Sequence, residues 1–147
     1  TITINNVNQA PTDIALSASS LNENLASGTT VGNFSSTDPD TGDTFTYTLV
    51  SGVGDTDNAS FTIVAGSLRS AAVFNFEVKN SYSIRVRTTD AGGLFYEEIF
   101  TITINNVNEA PTDIALNNSN IDETLSAGTL VGNFSSIDPD VGDTHTY

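Results

Sequence analysis

Residues 81–93 read Ser-Tyr-Ser-Ile-Arg-Val-Arg-Thr-Thr-Asp-Ala-Gly-Gly, and this stretch decides the fold class. Tyr82, Ile84 and Val86 share one parity, while serine and arginine occupy the positions between them. Such strict alternation is typical of a half-buried β-strand, in which successive side chains point to opposite faces. The residue types in Asp90–Gly93 favour a turn, so the chain is predicted to return as the second arm of a β-hairpin.

The second arm of this hairpin, residues 94–105, is less regular. Phe95 and Ile99 share one parity, but Phe100 and the apolar residues after it take the other. A change of phase within a strand predicts a β-bulge, here near Glu97–Ile99. Across the ladder we also expect exposed ion pairs, which join Arg85 and Arg87 to Glu97 and Glu98.

Outward from the hairpin, short segments with the same period of two lie between Gly, Asp and Asn residues, and helix signals are missing. This spacing predicts an all-β sandwich. The seven expected strands lie near residues 12–17, 29–36, 44–51, 60–64, 68–73, 81–89 and 94–105.

The chain also repeats itself: residues 1–47 recur as residues 101–147, with 34 of 47 positions identical. A period of 100 residues is the size of a whole domain, so the sequence is typical of a tandem array. We predict the last strand and linker of a preceding repeat in residues 1–9, a complete repeat in 10–110, and the first half of the next repeat in 111–147.

Neither flanking part can bury its apolar face alone. We therefore expect these parts to be poorly ordered, or to be completed by another chain through strand addition. In the second case the strand that carries Ile2 and Ile4 would pair with the partial module of a neighbouring chain.

Composition restricts the possible partners. The chain has 18 acidic and 4 basic residues and a net charge of −14, which disfavours nucleic acid and anionic membranes and favours cations. There is no apolar run of membrane-spanning length, so no membrane insertion is expected in this segment. Cysteine is absent, so the fold has no disulfide.

The acidic residues sort to two poles if each strand runs antiparallel to the one before it. We call the pole at which the last strand ends the exit pole. The other pole receives Asp38, Asp40 and Asp90. In an array, the exit pole would face Asp138 and Asp140 of the next repeat, and calcium takes about six to eight such oxygen ligands. The exit pole itself receives Glu23, Asn75, Glu77, Asn106, Asn108 and Glu109.

Asp38-Pro39-Asp40 suits a cation because alternate residues of an extended segment point the same way and Pro39 restricts the backbone. The alternative interpretation is a polar turn in which aspartates bond to nearby backbone groups. An EF-hand is excluded, since Gly42 and Leu49 occupy positions that need ligands.

At this point the sequence resembles a cadherin repeat of the bacterial, cadherin-like kind. The resemblance covers residues 10–111 and rests on an ordered set of motifs. These are Asn22-Glu23-Asn24, Gly28-Thr29-Thr30-Val31-Gly32, Asp38-Pro39-Asp40-Thr41-Gly42-Asp43, Phe61-Thr62-Ile63, Phe74-Asn75-Phe76-Glu77, Tyr82-Ser83-Ile84-Arg85-Val86 with Asp90, and Asn106-Val107-Asn108-Glu109-Ala110-Pro111.

The resemblance implies a seven-stranded Greek-key sandwich, immunoglobulin-like in architecture, with Ca²⁺ at the junctions between repeats. It implies an upstream ligand set of Asp38, Asp40 and Asp90 with Asn6 and Asn8. It implies a downstream set of Glu23, Glu77, Asn108, Glu109, Asp138 and Asp140. Asn75 and Asn106 stand where the family usually has Asp, and each loss of a charge should weaken calcium binding.

Three classes of function follow. The first is a calcium-stiffened stalk repeat of a large extracellular or cell-surface adhesin. Its expected partners are the neighbouring repeats of the same chain and, through homophilic contact or strand addition, further copies. The second is a module that binds carbohydrate or protein, with Phe45, Tyr47, Phe95 and Tyr96 as an aromatic platform. An enzyme is disfavoured, because His145 is the only histidine and no cysteine is available as a nucleophile.

Overall fold

A computed structural model describes all 147 residues, Thr1–Tyr147. By its contacts the chain divides into two compact units, Thr1–Asn106 and Val107–Tyr147. The first unit contains eight strands and a single 3₁₀ turn, Asn58–Ser60. Its strands are β1 Asp13–Leu16, β2 Ser20–Asn22, β3 Thr30–Thr37, β4 Thr46–Leu49, β5 Phe61–Val64, β6 Ser67–Ser70, β7 Ser81–Thr89 and β8 Phe95–Asn105.

Two four-stranded sheets form the first unit, in the orders β1-β3-β6-β5 and β2-β8-β7-β4. All pairs are antiparallel except β2 with β8, which is parallel. The predicted all-β sandwich is confirmed, and seven of its strands lie where the alternation placed them. The eighth, β2, is an addition: the first strand breaks after Leu16, and its continuation joins the other sheet.

The core lies between the two sheets and consists of aliphatic and phenylalanine side chains from both. Ile84 and Val86 of β7 are fully buried, as the alternation predicts, and Ile102 and Ile104 of β8 lie beside them. The remaining core side chains are Ile14, Leu21, Val31, Phe34, Phe61, Leu68 and Phe74.

The predicted bulge in the second hairpin arm is wrong. The β7–β8 register runs without interruption from the Ser81–Thr103 pair to the Thr89–Phe95 pair. The apolar phase changes because Phe95 lies on the outer face, where the Arg87 guanidinium carbon is 4.0 Å from the ring centroid. The irregular register instead occurs in β3, between Thr30 and Gly32.

The predicted ion pairs are half correct. Glu97 accepts hydrogen bonds from both arginines, from Arg85 Nη2 at 2.6 Å and Arg87 Nε at 2.8 Å. Glu98 takes no part, because neighbouring residues of a strand point to opposite faces. Its carboxylate instead accepts from the backbone N–H of Ile14 at 3.3 Å.

The second unit contains one two-stranded antiparallel sheet, β9 Asp113–Leu116 with β10 Phe134–Ile137. Its register, from Asp113 opposite Ile137 to Leu116 opposite Phe134, matches that of β1 and β3 position for position. The repeated sequence therefore forms the same local pair. No third strand follows, although the first half of a repeat, as predicted for residues 111–147, would include one.

Candidate metal sites

The loop after β3 gathers three carboxylates. β3 ends at Thr37, before Pro39, which cannot donate to a ladder. The backbone N–H of Asp40 then donates to Asp38 Oδ1 at 2.8 Å. Gly42 has φ of +91°, a left-handed conformation that turns the chain back towards the first two acids. As a result Asp38, Asp40 and Asp43 each place a carboxylate oxygen within 4.8 Å of the other two.

The segment before β1 is held against this loop by side chains that the sequence singled out. Asn6 Nδ2 donates to Asp40 Oδ1 at 2.8 Å, and the backbone N–H of Gln9 donates to Asp40 Oδ2 at 2.6 Å. Asn8 Nδ2 donates to Asp90 Oδ2 at 3.0 Å. Residues from the linker, the loop after β3 and the β7–β8 turn thus meet at one end of the sandwich.

Asp90 reaches this end because it closes the β7–β8 hairpin. It is buried, and its Oδ1 accepts from the backbone N–H of Leu94 at 2.8 Å. Gly92 in the same turn leaves room for the linker: a Cβ there would lie 2.4 Å from Asn8 Nδ2. A glycine is therefore needed at this position for Asn8 to approach Asp90.

The electrostatics of the three acids differ according to their neighbours. Hydrogen bonds from the Gln9 backbone and the Asn6 side chain lower the pKa of Asp40, against an opposing effect of burial. Burial raises the pKa of Asp43, and the charges of Asp38, Asp90 and Asp40 raise it further. Asp43 is thus a carboxylate crowded by three others, a repulsion that a divalent cation would relieve.

The donor set fits a hard cation. Asp38 Oδ2 and Asp43 Oδ2 are buried and have no hydrogen-bond partner within the protein. Both residues line a cavity of about 320 Å³, together with Asp40 and neighbouring loop residues. Buried oxygens without donors are costly unless something positive neutralises them, and carboxylate oxygens are the ligands that calcium prefers.

The other end of the first unit carries a second acidic pair. Glu23 follows β2 and is buried, and its Oε2 accepts from the backbone N–H of Phe76 at 2.8 Å. Glu77 is exposed, with a carboxylate oxygen within 4.8 Å of Glu23. The backbone N–H of Glu23 donates to Asn105 O, at the end of β8, whereas Asp90 follows the last residue of β7. The nine residues of β7 therefore separate these acids by roughly 30 Å, at opposite ends as predicted.

The amides predicted as ligands have different surroundings. Asn75 Oδ1 accepts from the backbone N–H of Val78 at 2.8 Å and so stabilises its own turn. Asn106 is exposed at the end of the first unit. Asn108 is exposed in the second unit, where its Nδ2 donates to Glu109 O at 3.0 Å.

The second unit repeats the acidic loop. The backbone N–H of Glu109 donates to Asp140 Oδ2 at 2.6 Å, as that of Gln9 does to Asp40 in the first copy. Asp138, Asp140 and Asp143 lie within 4.8 Å of one another, and His145 Nε2 is 3.7 Å from Asp138 Oδ2. The same sequence therefore builds the same cluster twice.

Sequence reasoning missed Asp43 and its counterpart Asp143 as site residues. Both belong to the Asp-Pro-Asp-x-Gly-Asp motif. The glycine that precedes each of them is the sequence signal that could have identified them. A left-handed residue before the third aspartate reverses the chain, so an acid five positions after the first returns to it.

The proposed aromatic platform does not lie on one face. Tyr47 stacks on core residue Phe34 with ring centroids 5.3 Å apart. Phe95 lies on the outer face under Arg87, while its neighbour Tyr96 points to the opposite side of the same strand. Tyr47, Phe95 and Tyr96 therefore do not form one flat surface.

Comparison with known proteins agrees with this architecture. The family profile described as "Cadherin domain" matches residues 17–105, more than half of the chain. Domains 1–4 of protocadherin gamma B7 match at 27% identity and a TM-score of 0.59, over 88% of this chain and 33% of theirs. The protocadherin gamma B4 extracellular domain matches at 25% identity and a TM-score of 0.61, over 95% of this chain and 23% of its own length.

Human desmocollin-1 gives 21% identity and a TM-score of 0.61, over 92% of this chain and 27% of its ectodomain, which supports the fold alone. The chain thus spans about a third or less of these structures. None of its helical segments has the length and hydrophobicity needed to cross a membrane.

Proposed function

The chain belongs to the cadherin family, and we propose that it is a calcium-binding repeat whose ions stiffen the junctions between successive modules. Domains of this family are extracellular adhesion modules, and the similar structures are extracellular domains of protocadherins and a desmocollin. Beyond this adhesive role, we propose a metal, a set of ligands and a mechanical role for the repeat.

The observation that carries the proposal is the meeting of Asn6–Gln9 with Asp38, Asp40, Asp43 and Asp90 inside one unit. The linker is fixed through hydrogen bonds to carboxylates that repel one another. Calcium would supply the missing positive charge and bind the linker and the loop at once. Its loss would leave the repulsion in place and loosen the linker from the module.

The ligand set that we propose for this upstream site consists of Asp38, Asp40, Asp43 and Asp90. Asn6 and Asn8 would contribute amide oxygens after their side chains turn, since each now points its NH₂ group at a carboxylate. For the downstream site the repeat leads us to propose Glu23, Asn75, Glu77, Asn106, Asn108, Glu109, Asp138 and Asp140.

A stalk in a large secreted or cell-surface adhesin, of the bacterial kind that the sequence resembles, suits these features. Strands of six to ten residues at about 3.3 Å each make a module roughly 30 Å long, so tandem copies would give reach. The 34 of 47 identical positions in successive copies favour a spacer, in which every junction does the same work. Extracellular calcium is concentrated enough to fill sites of about 10⁻⁴–10⁻³ M affinity.

Thermal melting with and without calcium tests the proposal. At a concentration of about 100 Kd, an ion that binds only the folded state stabilises by about 2.7 kcal/mol, or roughly 10–20 °C for a domain of this size. Asp40→Asn should lose at least half of the calcium-dependent rise in Tm. Asp13→Asn, which makes the same charge change at an exposed position of β1, should keep it.

Equal responses of the two variants would refute the assignment of Asp40. A wild-type Tm that does not change between excess chelator and 10 mM calcium, on the order of the weakest extracellular sites, would refute calcium binding altogether.

A further inference from the structure

Three hydroxyl groups join the two sheets of the first unit near the end that carries the upstream acids. Ser36 Oγ lies 2.8 Å from Thr88 Oγ1 and 3.1 Å from the hydroxyl oxygen of Tyr47. Ser36 belongs to β3 in one sheet, whereas Thr88 of β7 and Tyr47 of β4 belong to the other. We call these three side chains the hydroxyl bridge.

The hydroxyl bridge lies just before the acids in both sheets. Asp38 follows Ser36 by two positions, and Asp90 follows Thr88 by two positions. Because a strand rises about 3.3 Å per residue, the bridge is roughly 7 Å along each chain from these acids. Ser36 also lines the cavity of about 320 Å³ that Asp38 and Asp43 line. The bridge therefore lies directly below the proposed calcium site.

The surroundings of the bridge are apolar. Thr88 is fully buried, and the ring of Tyr47 stacks on core residue Phe34 with centroids 5.3 Å apart. A buried hydroxyl group is costly unless it is hydrogen-bonded, and here the three hydroxyl groups satisfy one another. A hydrogen bond has a defined length, whereas apolar contacts between sheets are non-directional. The bridge thus fixes a distance that core packing alone leaves loose.

The acids above the bridge act against that distance. Asp43 is under the influence of the charges of Asp38, Asp90 and Asp40. Asp90 leaves the end of β7, while the other three leave the end of β3 in the opposite sheet. Repulsion between these carboxylates therefore tends to move the β7–β8 turn away from the loop after β3. A bond between the two sheets just below them opposes this movement.

The second unit repeats the serine–tyrosine half of the bridge. Ser136 Oγ lies 3.1 Å from the hydroxyl oxygen of Tyr147, and the Tyr147 ring stacks on Phe134 with centroids 5.5 Å apart. Asp138 follows Ser136 by two positions, as in the first unit. The contact and the acidic loop are thus formed together in both copies of the repeated sequence.

We propose that Ser36, Tyr47 and Thr88 are positioning residues of the upstream calcium site. They hold the loop after β3 at a fixed distance from the β7–β8 turn, so that Asp38 and Asp90 face an incoming ion already in place. A site that is preformed binds more tightly, because the ion need not draw two repelling segments together. This inference rests on the calcium function proposed above.

Two substitutions of Thr88 separate positioning from stability. Thr88→Val keeps the shape of the side chain and removes its hydroxyl group, whereas the conservative Thr88→Ser keeps the hydroxyl group and removes the methyl group. Calorimetric titration of the folded protein should give a calcium dissociation constant about tenfold higher for Thr88→Val, as expected when a supporting contact of a metal site is lost. Thr88→Ser should retain the affinity, although loss of a buried methyl group lowers its Tm by a few degrees.

A second pair of variants tests the bridge if Thr88→Val does not fold. Tyr47→Phe keeps the ring on Phe34 and removes one hydrogen bond of the bridge, so it should also weaken calcium binding. Tyr82→Phe is the matched control. Tyr82 packs against the same core but lies at the opposite end of β7, far from the acids.

Amide hydrogen exchange in excess chelator tests the bridge without any metal. The backbone N–H of Asp40 donates to Asp38, and that of Leu94 donates to Asp90. These bonds report how firmly the loop and the turn are held. Both N–H groups should exchange at least about threefold faster in Thr88→Val than in Thr88→Ser, because local opening becomes easier.

Equal calcium dissociation constants for Thr88→Val and Thr88→Ser would refute the proposal, as would a Tyr47→Phe variant that binds calcium as tightly as Tyr82→Phe. Equal exchange rates in the two Thr88 variants would also overturn it, whatever their calcium affinity. If the wild type binds no calcium, the proposed function fails, and the exchange rates alone decide whether the bridge holds the two segments in place.

Discussion

At the scale of single residues, the turn between β5 and β6 contains an unfavourable residue, Ala65. Val64 pairs with Ser67, so Ala65 and Gly66 form a two-residue loop, and their φ angles are +48° and +78°. Positive φ at both positions is a type I′ turn, for which Asn-Gly is the preferred sequence. The Cβ of an alanine is disfavoured there by about 1 kcal/mol, whereas asparagine tolerates the conformation.

Ala65→Asn should therefore stabilise the first unit by about 0.5–1 kcal/mol, which corresponds to a rise in Tm of a few degrees. Ala71→Asn, at an exposed position with ordinary φ, serves as the control and should give no gain. Differential scanning calorimetry measures both. A lower Tm for Ala65→Asn would show that the turn is not of this type.

Gly92 gives the second residue-scale prediction. An alanine Cβ at this position would lie 2.4 Å from Asn8 Nδ2, so the Asn8 side chain must leave Asp90. Gly92→Ala should change the stability of the calcium-free protein by no more than about 1 kcal/mol, the value of one hydrogen bond. It should reduce the calcium-dependent rise in Tm, whereas Ala91→Ser in the same turn should not. An unchanged calcium response would remove Asn8 from the ligand set.

At the scale of elements, the outer face of the β7–β8 hairpin is held by one carboxylate between two arginines. Hydrogen bonds from Arg85, then from Arg87, lower the pKa of Glu97, and they outweigh the effect of burial. The folded state thus favours the charged form more than the unfolded chain does. This contribution is complete well above pH 4.5, the ordinary value, and is lost as the pH falls through the lowered pKa.

Glu97→Gln should accordingly flatten the loss of stability on acidification below about pH 5. Urea unfolding at a series of pH values down to about 2 would show this as a smaller drop in the midpoint than in the wild type. Some acid sensitivity should remain, because the pKa of Asp57 is also lowered in the folded state. Burial raises the pKa of Asp57, but hydrogen bonds from Lys79 and the Ser83 backbone outweigh this effect. Parallel curves for the two proteins would mean that folding does not lower the pKa of Glu97.

At the scale of the whole molecule, the calcium proposal counts Glu77 and Asp138 among the ligands of the downstream set. Glu77→Gln and Asp138→Asn should then affect the calcium-dependent stabilisation jointly. A double-mutant cycle is expected to show a coupling above about 0.5 kcal/mol, because either change alone disables a shared site. Isothermal titration calorimetry and melting would measure it. Strictly additive effects would place the two residues at independent sites.

The sequence by itself determined the all-β class, seven of the strand positions and the placement of Asp38, Asp40 and Asp90 at one end of the sandwich. Alternation is a local property, so Ile84 and Val86 of β7 were found correctly. The acids followed, because antiparallel connections send the β3–β4 loop and the β7–β8 turn to the same end.

Only the tertiary structure decided the rest, because it depends on contacts between distant residues. The three-residue β2 exists through its pairing with β8. Phe95 is tolerated outside the core because Arg87 covers it, so no bulge is needed. Asp43 is an exception, since it joins the cluster through a local reversal of the chain at Gly42. The identical side chain of Phe34 and Phe134 is buried in one unit and exposed in the other, because burial depends on the opposing sheet and not on the local sequence.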